Sequence, residues 1–414
     1  MTPRDLLLPT AAHERIAVLD VLRGFALLGI LLMNIEAFVG PLDLAISGVE
    51  PHWHGADRLA DALVYFFVQG KFYTLFSLLF GMGFAVMAQR AEQARRGFYG
   101  MYLRRTAGLL AIGLVHALLL WSGDILVTYA LLAVVLLSTR SAPVAALPWL
   151  AALVYAGAPA LALVSGLVSA MLQADPASAA EWKAAMADVA QQSVANVQAQ
   201  RAAFGSGSYL QATAQRWQDL RHALSGLSIN GPAMLGMFLL GGWFVRSGAI
   251  AAPDRFPRLF RVLRYGALPL GLGVMLLSYA LAPWMDPADL GMRVCAAFAL
   301  ALVAGPLMSL GYAAWVIRFA SHLDWLAPAG RMALSNYLLQ SLLCTWIFYG
   351  YGLGYFEQLP RVWQLPFAVG LFAVQVVVSR WWLRWFRFGP VEWLWRSATY
   401  LRVPPMWRGQ ARSQ

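Results

Sequence analysis

Apolar runs of roughly 20 residues, closed by arginines or polar turns, make up most of this chain, and that is the length an α-helix needs to cross a bilayer. About ten can be placed, centred near residues 29, 76, 112, 131, 157, 238, 273, 304, 341 and 374. The expected fold is all-α, a polytopic transmembrane helical bundle. Composition excludes a soluble globule: 60% of the residues are hydrophobic and 12% charged, about half the charged share of an ordinary soluble domain.

The net charge of +11 does not point to nucleic acid, because the basic residues stand at the ends of the apolar runs, where they anchor the interface and set orientation. The partner they imply is a bilayer with anionic lipids. The connection from Gln89 to Arg105 carries Arg90, Arg95, Arg96, Arg104 and Arg105, and a short loop this basic stays in the cytoplasm. Propagated through ten spans, that side receives both termini. It also collects Arg255, Arg258, Arg261 and Arg264, then Arg380, Arg384 and Arg387, while Asp286, Asp289 and Glu357 fall in outer loops. This is the topology of a multi-pass membrane protein. No small-residue cleavage site follows the run from Phe25 to Met33, which reads as a retained first span.

Five spans fill residues 1–171 and five more fill residues 227–396, with a cytoplasmic tail at 397–414. Between the halves, residues 172–226 form an extracytoplasmic helical segment in which Trp182, Met186, Val189 and Val194 recur at nearly helical spacing. That amphipathic segment either lies on the outer surface or roofs the bundle. No internal repeat of the kind many transporters show is visible. Cys295 and Cys344 stand singly in apolar runs, without a CxxC or a Cys/His cluster, so they read as buried thiols and no metal site is expected. After the last span, Gly389 and Pro390 stop the helix and a Trp-rich segment suits an interfacial anchor.

Ionisable residues inside such spans are costly and normally face a packed or watered interior. His116 lies within the third run, and Asp124 follows the Ser122–Gly123 turn at the start of the fourth. Asp124 can serve as an N-cap, and a carboxylate beside a buried imidazole also orients it for acid–base work. Asp20 and Arg23, one turn apart at the cytoplasmic mouth of the first span, either neutralise each other or meet an anionic substrate. Lys71 either snorkels or supplies a fixed charge to a polar cavity. Arg331, Asn336 and Gln340 cluster within three turns of the ninth span, where stability alone requires none of them. On the outer loop near residues 40–60, His52, His54 and Asp61 are additional candidate bases.

Several stretches together resemble the YeiB family of bacterial inner (plasma) membrane proteins, a family with a domain of unknown function, and the resemblance implies that location. They are LDVLRGFALLGILLMNI, KFYTLFSLLFGMGF, GLVHALLLWSGDILVTYAL, GSYLQATAQR, and GRMALSNYLLQSLLCTWIFYGYGLG through FGPVEWLWR. That family is in turn similar to membrane acyltransferases such as heparan-alpha-glucosaminide N-acetyltransferase, which use cytoplasmic acyl-CoA to acylate a substrate on the other side. The resemblance implies acyl-CoA as a co-substrate, no bound cofactor, and a hydroxyl or amine acceptor. It places Arg23 of LDVLRG at the CoA phosphates, helped by Arg104 or Arg105. It makes His52, His54 and Asp61 of HWHGADRLAD a loose counterpart of the heparan enzyme's catalytic histidine and aspartate, while His116 and Asp124 belong to the YeiB-type pattern.

The same polar residues at both mouths of one bundle suit a transporter or exporter of a small anionic compound. A scaffold role would rest on the outer segment alone. An acyltransferase needs a path from the cytoplasmic arginines to the outer histidine.

Overall fold

The computed structural model describes residues 16–45, 47–95, 97–286 and 289–408. Arg96 of the basic loop, residues 1–15 of the first half and residues 409–414 of the tail lie outside them. In chain order the helices are α1 (Ala17–Val39), α2 (Gly55–Phe67), α3 (Lys71–Gln93), α4 (Tyr99–Val115), α5 (Leu126–Leu137), α6 (Leu147–Ala174), α7 (Pro176–Gln200) and α8 (Tyr209–Ser225). There follow α9 (Leu227–Arg246), α10 (Pro257–Val262), α11 (Leu268–Leu281), α12 (Met292–Arg318), α13 (Ala327–Arg331), α14 (Ala333–Phe348), α15 (Arg361–Trp385) and α16 (Pro390–Tyr400).

The fold is an all-α polytopic bundle. Eight stretches among the described residues are long and apolar enough to cross a membrane. The shorter apolar helices α5 and α14 occupy the remaining expected positions, so each of the ten predicted centres falls within a helix. At one of them the sequence suggests a single span and the structure shows two helices, because α2 and α3 are separated at Gly70, which adopts φ 80°. Only a residue without a Cβ takes that conformation readily, and Gln69 and Lys71 interrupt the apolar run on either side of it.

Helix α1 is the centre of the assembly, buried over most of its circumference and packed against α3, α12, α13, α14 and α15. Its contact with α13 is backbone against backbone. A side chain at Gly330 would collide with the Asp20 carbonyl, and one at Gly24 with that of Leu326. Helices α3 and α9 meet in the same way through Gly81 and Gly241. Without a hydrophobic driving force between helices in lipid, such close approach supplies the dispersion contacts that hold the bundle.

One end of the bundle is rich in arginine and is covered by the amphipathic helix α16, which packs on α4 and α14. The other end is covered by α7 and α8. Asp175 caps α7 by accepting from Ala177 N and Ser178 N, and Ser208 with Gln211 forms a capping box on α8. The Val189–Val194 side of α7 is exposed, and the face of α7 that engages the rest of the protein is polar instead. Asn196 donates to Asp43 and Gln200 donates to Asp219. From α8, Tyr209 donates to the Leu119 carbonyl at 2.7 Å. Arg216, fully buried against the Tyr209, Tyr349 and Tyr351 rings, donates to the Tyr351 hydroxyl at 2.6 Å. The cap is thereby tied to the turn after α4 and to the loop after α14. Cys295 and Cys344 are free and buried.

Candidate functional site

Helix α4 widens into a π-turn, His116–Leu120, closed by Trp121 N donating to the His116 carbonyl at 2.8 Å. Such turns interrupt an otherwise regular helix and recur at functional sites. Trp121, buried against Phe38 with ring centroids 4.1 Å apart, then redirects the chain, and Ser122–Gly123 brings Asp124 back beneath the imidazole. The Asp124 carboxylate lies 2.7 Å from His116 Nδ1 through one oxygen and accepts from Val127 N at 2.7 Å through the other. Both roles foreseen for Asp124, cap of α5 and partner of the imidazole, are filled at once. On the far side of the ring, Nε2 is 2.8 Å from the Ser341 hydroxyl of α14. Both the His116 and Asp124 side chains are excluded from solvent.

A carboxylate is an acceptor only, so Asp124 holds the ring proton on Nδ1 and leaves the Nε2 lone pair facing the Ser341 O–H. Asp124, His116 and Ser341 thus form one continuous hydrogen-bonded array across three elements. The Tyr337 ring covers its side, 4.9 Å centroid to centroid from His116, with its hydroxyl donating to the Gly123 carbonyl at 3.3 Å.

A cavity of about 250 Å³ reaches Tyr337 from the arginine-rich end. Arg23, Arg105, Arg331 and Arg396 line its mouth together with Glu392, and Ile30, Phe76, Leu79, Phe80, Leu109 and Leu126 form its apolar body. Arg105 is fixed by stacking on Trp395, 3.7 Å from the ring centroid, while Trp395 Nε1 donates to the Arg105 carbonyl. Glu392 accepts from the backbone N–H groups of Leu334 and Ser335 and from the Ser335 hydroxyl, capping α14 from another helix. Burial pushes its carboxyl up from the ordinary range, against those hydrogen bonds. The mouth therefore presents four guanidinium groups against two carboxylates, Glu392 and the Asp20 paired with Arg23, a positive excess suited to an anion.

The other candidate residues separate into distinct surroundings. Asp20 and Arg23 pair at 2.9 Å at this mouth. Arg104, one residue from the cavity wall, donates instead to the Thr399 carbonyl and holds α16 in place. Asn336 and Gln340 turn toward α15, where Asn336 donates to Ser379, Gln340 donates to Gln375, and Gln375 donates to the Asn336 carbonyl. Lys71, buried at the α2–α3 break, donates to the Tyr65 carbonyl at 2.8 Å and contacts Met275 Sδ at 3.3 Å. It does not line this cavity.

At the capped end, Asp61 accepts from Arg361 Nε at 3.0 Å, and Arg361 Nη2 lies 2.8 Å from Glu36. Asp61 also accepts from Glu50 N, and Glu50 pairs with His52 Nδ1 at 2.9 Å. His54 is exposed at the start of α2, where its side chain makes no cap hydrogen bond. The structure does not bring His52, His54 or Asp61 to His116. Sequence reasoning passed over Ser341, Glu392 and Arg361. Of the outer cluster, Asp61 and His52 are visible in the sequence, and Glu36, a carboxylate in the apolar run MNIEAF, is a further signal for it.

Comparison with known proteins places these features in a family. Residues 244–402 match the model described as "Protein of unknown function (DUF418)". The chain is 36% identical to the uncharacterised protein YxaH of Bacillus subtilis (strain 168), across 96% of its own length and 97% of that protein. It is 32% identical to the uncharacterised protein YeiB of Escherichia coli (strain K12), across 95% of its length and 98% of that protein. No solved structure matches the chain.

Proposed function

Because the chain belongs to the YeiB, or DUF418, family, we propose that it is a bacterial inner-membrane acyltransferase carrying an acyl group from cytoplasmic acyl-CoA to a hydroxyl or amine acceptor on the other side. The observation that carries this reading is the cavity, with arginines at one end and Tyr337, against His116, at the other. In this reading the arginine-rich end faces the cytoplasm. Arg23, Arg105, Arg331 and Arg396 hold the CoA phosphates, which remain at the interface, while the thioester arm occupies the apolar body. The Asp124–His116 pair supplies the base and, with its proton gained, the acid for the leaving thiol.

The experiment is to incubate the purified protein in nanodiscs with a panel of acyl-CoAs and with hydroxyl and amine acceptors, reading free CoA and acylated product. Thioester consumption lost in His116→Ala supports the reading. Absence of both donor binding and thioester loss across the panel refutes it. One observation favours the transporter alternative: the break in α2–α3 at Gly70, since discontinuous helices line many transport sites. Proteoliposomes that take up an anionic solute chemically unchanged, in a His116-dependent way, would decide for transport.

A further inference from the structure

In the proposed reaction His116 must exchange a proton with a reacting group, yet neither ring nitrogen is free to meet one directly. Nδ1 is held by Asp124 at 2.7 Å and Nε2 by Ser341 at 2.8 Å. Among the described residues, the hydroxyl bonded to the basic nitrogen is that of Ser341, 225 positions away in sequence. Other buried hydroxyls of the bundle bond to backbone carbonyls or to another hydroxyl: Thr345 to the Ser341 carbonyl at 2.8 Å, Ser309 to the Lys71 and Gly305 carbonyls, Ser278 to the Ala297 carbonyl at 2.7 Å, and Ser77 to the Tyr73 carbonyl and the Tyr129 hydroxyl. For Ser341 the corresponding distance, to the Tyr337 carbonyl, is 3.4 Å, and the imidazole is its closer partner. What sets Ser341 apart is that its partner is an imidazole nitrogen, which can take its proton.

Placement along the helix is consistent with chemistry at this hydroxyl. Tyr337, which ends the cavity, is one turn before Ser341 on the same face of α14. Tyr337 lines the cavity, and His116, which carries the bond to Ser341, packs against that ring at 4.9 Å between centroids.

We infer that Ser341 is a nucleophile that takes the acyl group as an ester before it passes to the acceptor, an inference that rests on the acyl-transfer reading of the site. The Tyr337 ring turns aside, and Ser341 Oγ attacks the thioester carbonyl as its proton moves to His116 Nε2. The new C–O bond forms and the C–S bond breaks. The proton on Nε2 passes to the departing CoA sulfur, which leaves toward the arginine-rich end. In the second half the acceptor hydroxyl or amine gives its proton to Nε2 and attacks the ester, and Ser341 Oγ recovers the proton as it departs. No redox partner or metal enters the balance. Splitting the reaction this way explains how an acyl group changes sides while its carrier does not.

The test uses the full-length protein in nanodiscs with radiolabelled acyl-CoA and no acceptor. We expect label that survives denaturation, is released by hydroxylamine, and maps by mass to the peptide containing Ser341. Ser341→Ala should lose the label and slow transfer on the order of 10³-fold or more, as expected for removal of a nucleophile. Its thermal midpoint reports whether the fold is retained. Ser341→Cys should regain label as a thioester, a rescue that a packing role would not give. Wild-type protein that consumes thioester without labelling Ser341, with Ser341→Ala still active, overturns the nucleophile and leaves the acyl-transfer reading intact. Wild-type protein that consumes no thioester overturns both.

Discussion

Arg361 and Asp61, 300 positions apart in the chain, meet in a buried ion pair of 3.0 Å that joins the first residue of α15 to α2. Arg361 also approaches Glu36 at 2.8 Å, so one guanidinium balances two carboxylates from different helices. Removing the shared cation leaves both acids without their counter-charge in a buried setting. Arg361→Gln should therefore destabilise the protein by about 3–5 kcal/mol, the range for breaking a buried pair from one side. Asp61→Asn, which leaves Glu36 to balance Arg361, should cost less. Thermal or denaturant unfolding of the purified variants orders the two, and an Arg361→Gln protein as stable as wild type would show the cluster to be energetically idle.

Glu50 sits beside this pair, and burial pushes its carboxyl up to about 7, with the Asp61 charge reinforcing the shift and Arg361 and Arg201 opposing it. Glu357 reinforces the shift, Glu36 is a further acid that interacts with Glu50, and His52 Nδ1 pairs with the Glu50 carboxyl at 2.9 Å. Since the folded value lies above the ordinary 4.5, the folded state binds more proton between the two. The contribution of this group to stability is full below the lower value and is lost as pH rises through the higher one. The thermal midpoint of the wild type should fall from about pH 5 to about pH 8, and Glu50→Gln should flatten that fall. Equal slopes in the two proteins would remove Glu50 as its source.

Arg105 lines the cavity mouth with its guanidinium over the Trp395 ring, 3.7 Å from the centroid. A planar guanidinium can stack and present its fork to phosphate together, which an ammonium cannot do. Arg105→Lys should raise KM for acyl-CoA about tenfold, roughly the loss of one charge-assisted contact, with kcat changed little. The KM against kcat comparison is the readout. An unchanged KM would place the donor elsewhere.

How far the sequence carried each of these relationships depends on chain separation. The helices were legible because apolar length and terminal arginines are local properties, and the His116–Asp124 pair was legible because both residues belong to one hairpin. Gln69 and Lys71 mark an interruption of the run around Gly70, but the positive φ that divides it into two helices leaves no mark on composition. Ser341 stood in a stretch of polar residues whose helical face could be counted but whose partners could not. Asn336 and Gln340, in the same stretch, turned out to bind α15. Periodicity says which residues share a face and is silent on what faces them. The arginines at the cavity mouth come from α1, α4, α13 and α16, so their convergence is a property of the packed bundle.

The division of labour at Asp124 offers a last prediction, because its two oxygens do separable jobs. One accepts from Val127 N and caps α5, and the other holds the His116 Nδ1 proton. Asn in its place keeps an oxygen for the cap but turns an N–H toward Nδ1. The imidazole then adopts the other tautomer, with its proton on Nε2, where it can no longer accept one from a hydroxyl. Asp124→Asn should thus retain the wild-type thermal midpoint and lose thioester consumption by roughly 10²- to 10⁴-fold. Asp124→Ala should lose the activity and, with the cap gone, about 1 kcal/mol of stability as well. Full turnover in the Asn variant would mean that the tautomer of His116 does not matter, and the imidazole would then be a packing element between α4 and α14.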